Sequence, residues 1–501
     1  EAVDMGLQAL KLLGMNIPAH PTNTQIGLEL VKTKFSLGLR NIEDLLLLPE
    51  MCDEYKIAIM DILMSLTPVA YIIDQKLFLL VVLKIVHLSL RYGNSYASVF
   101  GYGVYGLIVG SGIGNYKNGY RFGKLSLKLN EKINNIDVKA KSNYNFGWFI
   151  SHWRAHAREN ITYLRNGFAE GLESGDFVFA AYCSASIIVT MYSKGDNLSD
   201  IDKEIEKYFD FTKQIKYEYI SYIFMVIRQA ILKLRSNDSI EFNKNAAEEK
   251  ALEEKIKKCN IDAVKALFYV INLQLAYLKG NYEEALDAAD MSQKYIKGAM
   301  GLLYSTDYYF YYSLTLAALY DFASPEEKKE YMDILKKNQR RMKKWSRNCS
   351  DNFLHKYLIV EGELSRIKGK NHRAIMLFNK GIKSAFQNGY TQNVAIGSEL
   401  TAKLYFSKEF DLIGEAYIEK AMQVYENWGA ISKVNEINNK YFDFTSDIAK
   451  DSINQSLGSN GKLLSTISTS STNPDFIDLD TIMKASHTIS KELVLENILE
   501  N

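Results

Sequence analysis

The sequence predicts an all-α protein, built as a superhelical solenoid of stacked helical hairpins. Three observations support this fold class. The chain has six prolines and none lies between Pro68 and Pro325. Proline breaks helix interiors and is common in the turns of β-rich domains, so a proline-free stretch of this length favours helices. A short turn motif recurs along the chain. Apolar residues on either side of it follow helical spacing.

The turn motif combines a glycine that accepts positive φ, a corner residue that is usually aromatic, and a small residue three positions later that lets the next helix approach closely. It occurs at Gly114-Asn115-Tyr116-x-x-Gly119, Gly175-Asp176-Phe177-x-x-Ala180, Gly280-Asn281-Tyr282-x-x-Ala285 and, in weaker form, Gly369-Lys370-Asn371-x-x-Ala374. Such hairpins stack because none can bury its apolar face alone. The uneven spacing of the motifs predicts a TPR-like array with irregular repeats.

Residues 1–235 read as successive amphipathic helices and predict an N-terminal helical-repeat lobe. The predicted helices include Ala2 to Gly14, Thr24 to Leu37, Tyr55 to Met64, Lys76 to Arg91, Tyr116 to Ile133 and Phe149 to Gly171. Residues 236–250 are polar and aperiodic, which predicts a loop between two lobes.

A second array is predicted over residues 251–445, the C-terminal TPR-like lobe. One stripe of helical spacing within it contains Val264, Leu267, Phe268, Ile271, Leu275 and Leu278. Residues 446–475 are rich in Ser, Thr, Asn and Gly and predict a flexible linker. Residues 476–501 then predict an amphipathic helix that leads to a missing downstream domain.

The composition is that of a folded protein with no strong overall charge. Hydrophobic residues make up 47% and charged residues 24% of the chain, and 60 Lys plus Arg balance 59 Asp plus Glu. A net charge near zero supplies no field to attract nucleic acid or an anionic membrane. We therefore expect a protein or peptide partner, and no nucleic acid.

Cysteine usage and the N-terminus indicate a cytoplasmic piece of a longer polypeptide. The start, Glu1-Ala2-Val3-Asp4, lacks the basic and apolar regions of a secretory leader. Tyr92 to Tyr116 carries no charge but contains seven glycines, so we predict tight helix packing there and no membrane span. The cysteines are far apart, as expected of free thiols in a reducing compartment. They are Cys52, Cys183, Cys259 and Cys349.

Two histidines provide the strongest candidate for a metal site. His152 and His156 would lie about one helical turn apart with Glu159 nearby, a set that could bind a metal and support a metal-dependent hydrolase. No other residue in the sequence completes a metal site. The favoured interpretation is two polar histidines on a helix beside Trp148 and Trp153.

Other motifs lack the context that their chemistry requires. Gly101-x-Gly103-x-x-Gly106 has the spacing of a dinucleotide-binding loop, but no strand precedes it, so close helix packing is favoured. Cys349 has His355 close in sequence without a recognised nucleophile signature. We therefore predict no catalytic, cofactor-binding or metal-binding residue, and no cofactor.

The one strong basic cluster runs from Lys336 to Arg347 and would suit a nucleic-acid-binding repeat protein. Its position on a helix offers a simpler cause. Ser324-Pro325-Glu326-Glu327 has the pattern of a capping box, so the acidic residues lie at the positive end of this helix and the basic ones toward its negative end.

A larger set of residues resembles a known family. The helical-repeat region of large multidomain sensor kinases is similar, most specifically at Trp428-Gly429-Ala430. That family joins a Ser/Thr kinase, a STAND-type AAA ATPase, this region, a GAF domain and a histidine kinase core. The residues that mark the resemblance include Trp345, Gly369, Ala374, Trp428, Gly429, Ala430 and Lys433, and the turn residues Gly280, Tyr282 and Ala285 are the structural positions of the same array.

This resemblance implies a non-catalytic segment between the ATPase and the GAF domain. No catalytic residue of the family corresponds to a position in this chain. The segment would be a regulatory scaffold of a signal-transduction kinase, which senses a ligand or inhibits the ATPase. Its partners would be a protein or peptide, or the kinase, ATPase and GAF domains of the same polypeptide.

Overall fold

The computed structural model describes residues 2–215, 217–235 and 239–441 of the chain. The predicted linker over 446–475 and the predicted helix over 476–501 lie outside the described residues. The first helices are α1 (Ala2–Leu12), α2 (Asn23–Leu37), α3 (Glu54–Ile73), α4 (Gln75–Tyr92), α5 (Tyr96–Leu107), α6 (Tyr116–Ile133), α7 (Ile136–Asn145), α8 (Ala157–Ser174), α9 (Phe177–Lys194) and α10 (Leu198–Gln214).

The remaining helices continue the same pattern. They are α11 (Glu218–Arg235), α12 (Ser239–Lys258), α13 (Asp262–Leu278), α14 (Tyr282–Tyr295), α15 (Ser305–Leu319), α16 (Pro325–Asn348), α17 (Ser350–Ile367), α18 (Asn371–Gln387), α19 (Thr391–Phe406), α20 (Asp411–Trp428) and α21 (Ile431–Tyr441). Short 3₁₀-helices cover Glu43–Leu47, Ser151–Trp153 and Ile296–Ala299, and π-helices cover Ile108–Gly112 and Phe146–Ile150.

The all-α helical-repeat fold is confirmed. Within the described part of the chain there is no β-strand, and one isolated bridge joins Glu50 to Asn94. Helices adjacent in sequence pack as hairpins, most extensively α5 with α6, α8 with α9, α13 with α14, α17 with α18, and α19 with α20. The stripe predicted on α13, from Val264 to Leu278, is buried.

The four predicted turns adopt the expected backbone. Their glycines, Gly114, Gly175, Gly280 and Gly369, have φ between 71° and 83°. The small residues that follow are buried, and a Cβ at Gly119 would lie 2.6 Å from the carbonyl oxygen of Gly106. The glycines of the dinucleotide-like motif therefore serve close helix contact, as predicted.

The same turn occurs at two places that the sequence did not reveal. Gly389 and Glu409 have φ of 69° and 62°, like the four glycines. In all six turns the next residue has φ between −81° and −96° and ψ between 63° and 73°. The aromatics Tyr390 and Phe410 come one position earlier than in the motif, and Glu409 replaces glycine, so the pattern was missed.

Gly389 and Glu409 provide a matched test of this turn. Both end a helix with a pair of hydrogen bonds typical of the Schellman motif. An L residue at positive φ costs about 1 kcal/mol relative to glycine, and a Cβ at Gly389 meets no atom within 4 Å. Gly389→Ala is therefore expected to destabilise the protein by about 1 kcal/mol, and Glu409→Gly to stabilise it by a similar amount.

Urea denaturation measures both effects. The control is Ser407→Gly in the same turn. Ser407 has φ of −66°, so replacing it by glycine relieves no backbone strain. That control is expected to lose stability. A Glu409→Gly variant that loses as much would contradict the role assigned to positive φ.

Helix α12 occupies residues 239–250, the described part of the predicted loop over 236–250. The helix runs on to Lys258, and Leu252 and Ile256, four positions apart, are the buried positions among its described side chains, 247–258. The sequence of this helix is mostly polar, so a search for apolar periodicity does not detect it. The same core cluster contains residues on both sides of α12 and runs from Leu107 to Ile437, whereas a second cluster holds mainly residues from Leu10 to Ala140.

The predicted helix from Phe149 to Gly171 is interrupted. The π-helix Phe146–Ile150 and the 3₁₀-helix Ser151–Trp153 precede α8, whose N-cap is His156. The change of helical pitch turns the chain so that Phe146 to Trp153 are all buried. His152 and His156 therefore do not lie on one continuous α-helix.

Among the described residues, one helix is long and apolar enough to cross a bilayer. This is α9, Phe177–Lys194, and 78% of it is buried inside the protein. Burial of this kind is what a core helix of the array requires. Tyr92 to Tyr116, the uncharged stretch noted in the sequence, belongs largely to α5 and the π-helix after it.

Candidate functional site

Turns that are far apart in sequence meet along one side of the array, and we call these contacts the seam. One side of the seam comprises the turns around α8, α9 and α10, and the other comprises the turns around α17 to α21. Side chains donate to backbone carbonyls of residues 199 to 232 positions away. These bonds join His156 Nε2 to Asn388 O (2.8 Å), Gln392 Nε2 to Ser193 O (2.9 Å) and Asn197 Nδ2 to Asn427 O (2.8 Å).

Asn352, at the start of α17, is the centre of the seam. Its Nδ2 donates to the carbonyls of His152 (2.7 Å) and Ala155 (2.8 Å). Its Oδ1 accepts from the backbone N–H of Ala157 (2.9 Å) and from the hydroxyl of Tyr390 (2.8 Å). Asn352 is fully buried, and both the nitrogen and the oxygen of its side-chain amide are hydrogen-bonded. The side chain therefore links the segment just before α8 to the N-terminal ends of α17 and α19.

The proposed metal ligands do not converge. His156 caps α8, because its Nδ1 accepts from the backbone N–H of Arg158 (3.0 Å) while Nε2 donates across the seam. His152 is fully buried, and its Nδ1 accepts from the amide of Asn160 (3.1 Å). Glu159 is exposed. No group of three His, Cys, Asp or Glu residues able to hold a metal occurs in the described ranges, so these residues do not support the hydrolase alternative.

Buried histidines make the stability of this region depend on pH. Burial lowers the pKa of His152 to about 3 and lowers that of His355 well below its ordinary value. Histidine in the unfolded chain titrates near pH 6.5, so below that pH the unfolded state binds more protons than the folded state. Stability is therefore expected to fall as the pH is lowered, by about 2 kcal/mol between pH 7 and 5 from His152 alone.

His355→Phe tests this effect with little other damage. Neither ring nitrogen of His355 has a hydrogen-bond partner among the described residues, and the ring packs on Tyr390 with centroids 4.3 Å apart. Urea denaturation at pH 7, 6 and 5 should show a shallower loss of stability in this variant than in the parent. The exposed His20, changed to Gln, is the control. An unchanged slope in His355→Phe would show that His355 does not contribute.

Several residues of the turn motif and of the family resemblance lie at helix junctions. Gly280 and Gly369 form two of the turns, Ala285 and Ala374 are fully buried behind them, and Tyr282 packs against Tyr277 with ring centroids 5.8 Å apart. These positions hold successive hairpins close together.

Trp345 connects α16 to the first turn of the motif. Its Nε1 donates to the hydroxyl of Tyr116 (3.0 Å), and its ring lies against Trp153, with centroids 5.8 Å apart. The hydrogen bond to Tyr116 spans 229 residues and adds a further contact between segments that are far apart in sequence.

The Trp428-Gly429-Ala430 segment ends α20. Trp428 and Ala430 are fully buried, Gly429 has φ of 96°, and the backbone N–H of Ala430 donates to the carbonyl of Tyr425. Lys433, just beyond, reaches the buried carboxylate of Glu399 (3.3 Å).

The carboxylate of Glu399 is held ionised by its neighbours. Lys403 lies 2.7 Å away, and the hydroxyl of Tyr425 donates to Glu399 at 2.9 Å. Burial raises the pKa of Glu399, but the Lys403 and Lys433 ammonium groups outweigh it and lower the pKa to about 2. The cluster fastens α19 to α20 and α21.

The basic cluster from Lys336 to Arg347 lies on the exposed face of α16. The predicted capping box at Ser324 is present and begins this helix. Arg341 lies over the ring of Tyr309 at 4.8 Å and donates to its hydroxyl, and the ammonium of Lys344 lies 5.6 Å from the ring of Tyr116. Trp345 is buried, so the aromatic side chain that would stack on a base faces the core.

A half-enclosed cavity of about 180 Å³, which we call the chamber, lies where the N-terminal helices meet the middle of the array. Side chains from α3, α4, α5, α7, α9, α11 and α13 line it, most of them aliphatic or aromatic. Its walls include Tyr71, Val104, Tyr144, Trp148, Ala185 and Tyr219. Nothing in the sequence indicated the chamber, because its lining residues have the spacing of ordinary core positions.

The polar groups of the chamber are mostly paired. The hydroxyls of Tyr182 and Tyr219 bond each other at 2.7 Å, and that of Tyr71 donates to the carbonyl of Gly298 at 3.3 Å. Asn145 differs. It is 7% exposed, and its Nδ2 has no partner among the described residues.

Comparison with known proteins agrees with the repeat fold. Residues 238–437 match the family model described as CHK1-like TPR repeats, which is less than half of the chain. Over 179 residues the chain is 25% identical to the hybrid signal transduction histidine kinase G of Dictyostelium discoideum. That match covers 35% of this chain and 5% of the Dictyostelium protein. The chain therefore carries a TPR-like repeat region, similar to part of a signal transduction histidine kinase.

Proposed function

We propose that this chain is a non-catalytic regulatory scaffold of a multidomain signal-transduction kinase. The observation that carries the proposal is the match of residues 238–437 to CHK1-like TPR repeats, because TPR arrays generally bind proteins. Similarity to a hybrid histidine kinase supports the signalling context. Coupling to a STAND-type ATPase, and a Ser/Thr kinase in the same polypeptide, rest on the family resemblance of the residues around Trp428.

The seam suggests how binding would be transmitted. Its bonds connect turns, so a change in the curvature of the array would break them without unpacking the hairpins. The array would then have two states, one with the seam bonds formed and one with them broken. A partner that binds these two states with different affinity would shift the balance between them. We propose a protein or peptide as partner, or the kinase, ATPase or GAF domains of the same polypeptide, in the cytoplasm. The free thiols of Cys183 and Cys349 suit that compartment.

One substitution breaks a seam hydrogen bond and leaves the cap of the adjacent helix in place. The Oδ1 of Asn197 caps α10 by accepting from the N–H of Ser199, whereas its Nδ2 donates across the seam. Asn197→Asp keeps the cap and places a carboxylate oxygen against the carbonyl of Asn427. The matched control is Asn135→Asp, because Asn135 caps α7 in the same way through the N–H of Asp137.

The test introduces each variant into the full-length gene and measures stimulus-dependent phosphotransfer. Asn197→Asp is expected to change basal output about threefold to tenfold, which corresponds to the worth of one hydrogen bond. Asn135→Asp should leave output at the parent level. If output and its response to stimulus are unchanged in Asn197→Asp and also after deletion of Ser350–Trp428, the scaffold does not regulate the kinase.

A further inference from the structure

The chamber is large enough to hold a small molecule. An engineered apolar cavity of about 150 Å³ in a protein core stays dry and binds benzene, and the chamber measures about 180 Å³. A void of this size forgoes the contacts of a packed core and costs stability. Residues of seven helices line this void, so it does not arise from the packing of one hairpin alone.

The walls favour a flat, apolar occupant. Tyr144 stacks on Tyr182 with centroids 5.5 Å apart and meets Phe149 edge to face at 5.7 Å. Trp148 lines the same space. Aromatic side chains arranged around a gap offer ring faces and edges, which pair best with another ring. A charged ligand would be left without a counter-ion, since no Asp, Glu, Lys or Arg lines the chamber among the described residues.

We propose that the chamber binds an uncharged, planar molecule of one or two fused aromatic rings. The walls come from both core clusters, through Val104 on one side and Trp148 on the other. A bound ring would therefore fasten the N-terminal helices to the rest of the array. This inference concerns a binding site of the chain itself and goes beyond the scaffold role.

Quinoline and indole are suitable probes for isothermal titration calorimetry on the 501-residue chain at neutral pH. Both are uncharged and planar at this pH, so both are expected to bind, whereas benzoate, which carries a charge, is expected to bind at least about tenfold more weakly. Binding of quinoline should also change the fluorescence of Trp148, and this change should disappear in Trp148→Phe.

One variant locates the site. Ala185→Leu fills the chamber from α9 and should weaken both ligands at least about tenfold, since a filled cavity has no room for a ring. Thermal denaturation of each variant shows whether it is folded.

Three results would overturn the proposal. They are no heat of binding for either probe at millimolar concentration, binding that leaves Trp148 fluorescence unchanged, and binding that folded Ala185→Leu does not weaken. None of them touches the regulatory proposal, because that proposal is tested by phosphotransfer in the full-length protein.

Discussion

Replacement of Asn352 by leucine is expected to destabilise the protein by about 4 kcal/mol, since each buried polar group left without its partner costs about 1 to 3 kcal/mol. The four groups that lose Asn352 are the carbonyls of His152 and Ala155, the N–H of Ala157 and the hydroxyl of Tyr390. Leucine has a similar size, so the loss reflects the hydrogen bonds more than a cavity.

Urea denaturation measures the loss, and hydrogen exchange at Ala157 shows whether the seam opens first. The amide of Ala157 donates to Asn352, so its protection should fall more than that of amides inside α13. The control is Asn338→Leu. Asn338 is also buried, but among the described residues its side chain makes one hydrogen bond, to the hydroxyl of Ser313 (3.3 Å), and about 1 kcal/mol is expected. Equal losses in the two variants would contradict a central role for Asn352.

Lys356→Met is expected to cost about 3 to 5 kcal/mol, because it leaves a buried carboxylate without its partner. The side chain of Lys356 is 2% exposed, and its ammonium pairs with Asp307, whose side chain is 10% exposed. The pair joins α17 to α15 close to the seam. A charge that cannot reach water and has lost its counter-ion is among the most costly defects in a protein core.

The pH dependence of this loss identifies Asp307 as its source. Burial raises the pKa of Asp307 even in the parent, partly offset by Lys356. Without Lys356 the pKa should rise further. A folded-state pKa above the unfolded value stabilises the fold at low pH and ceases to do so as the pH rises. The difference between Lys356→Met and the parent is therefore expected to be larger at pH 8 than at pH 5.

A double variant provides the control. Lys356→Met with Asp307→Leu replaces both charges by apolar groups and should recover most of the stability, since buried ion pairs are often replaceable by well-packed apolar residues. If the double variant is as unstable as the sum of the two single variants, the lost interaction is packing around Lys356 and not the ion pair.

The fold class and several local features follow from residues close together in sequence. The turns at Gly114, Gly175, Gly280 and Gly369 were predicted because positive φ, a corner residue and a small residue are local requirements. The start of α16 was predicted for the same reason, since a capping box involves four consecutive residues. The stripe of α13 was visible because it is broad.

The candidate sites depended on contacts that no short segment contains. Asn352 and His156 are ordinary polar residues in their own helices, and their partners across the seam lie about 200 positions away. Which turns meet there depends on the summed curvature of many hairpins, including the unpredicted α12. The π-helix before Ser151 similarly separated two histidines that an unbroken helix would have placed together.

The chain therefore encodes its hairpins locally, through turn chemistry and helical spacing. The seam and the chamber arise where α8 to α10 meet α17 to α21 and where the N-terminal helices meet α13. Both depend on how far each hairpin is rotated against the next, and small rotations add up over the array. For that reason the repeat architecture was readable from single segments, whereas the surfaces proposed to act in signalling and in ligand binding required the packed structure.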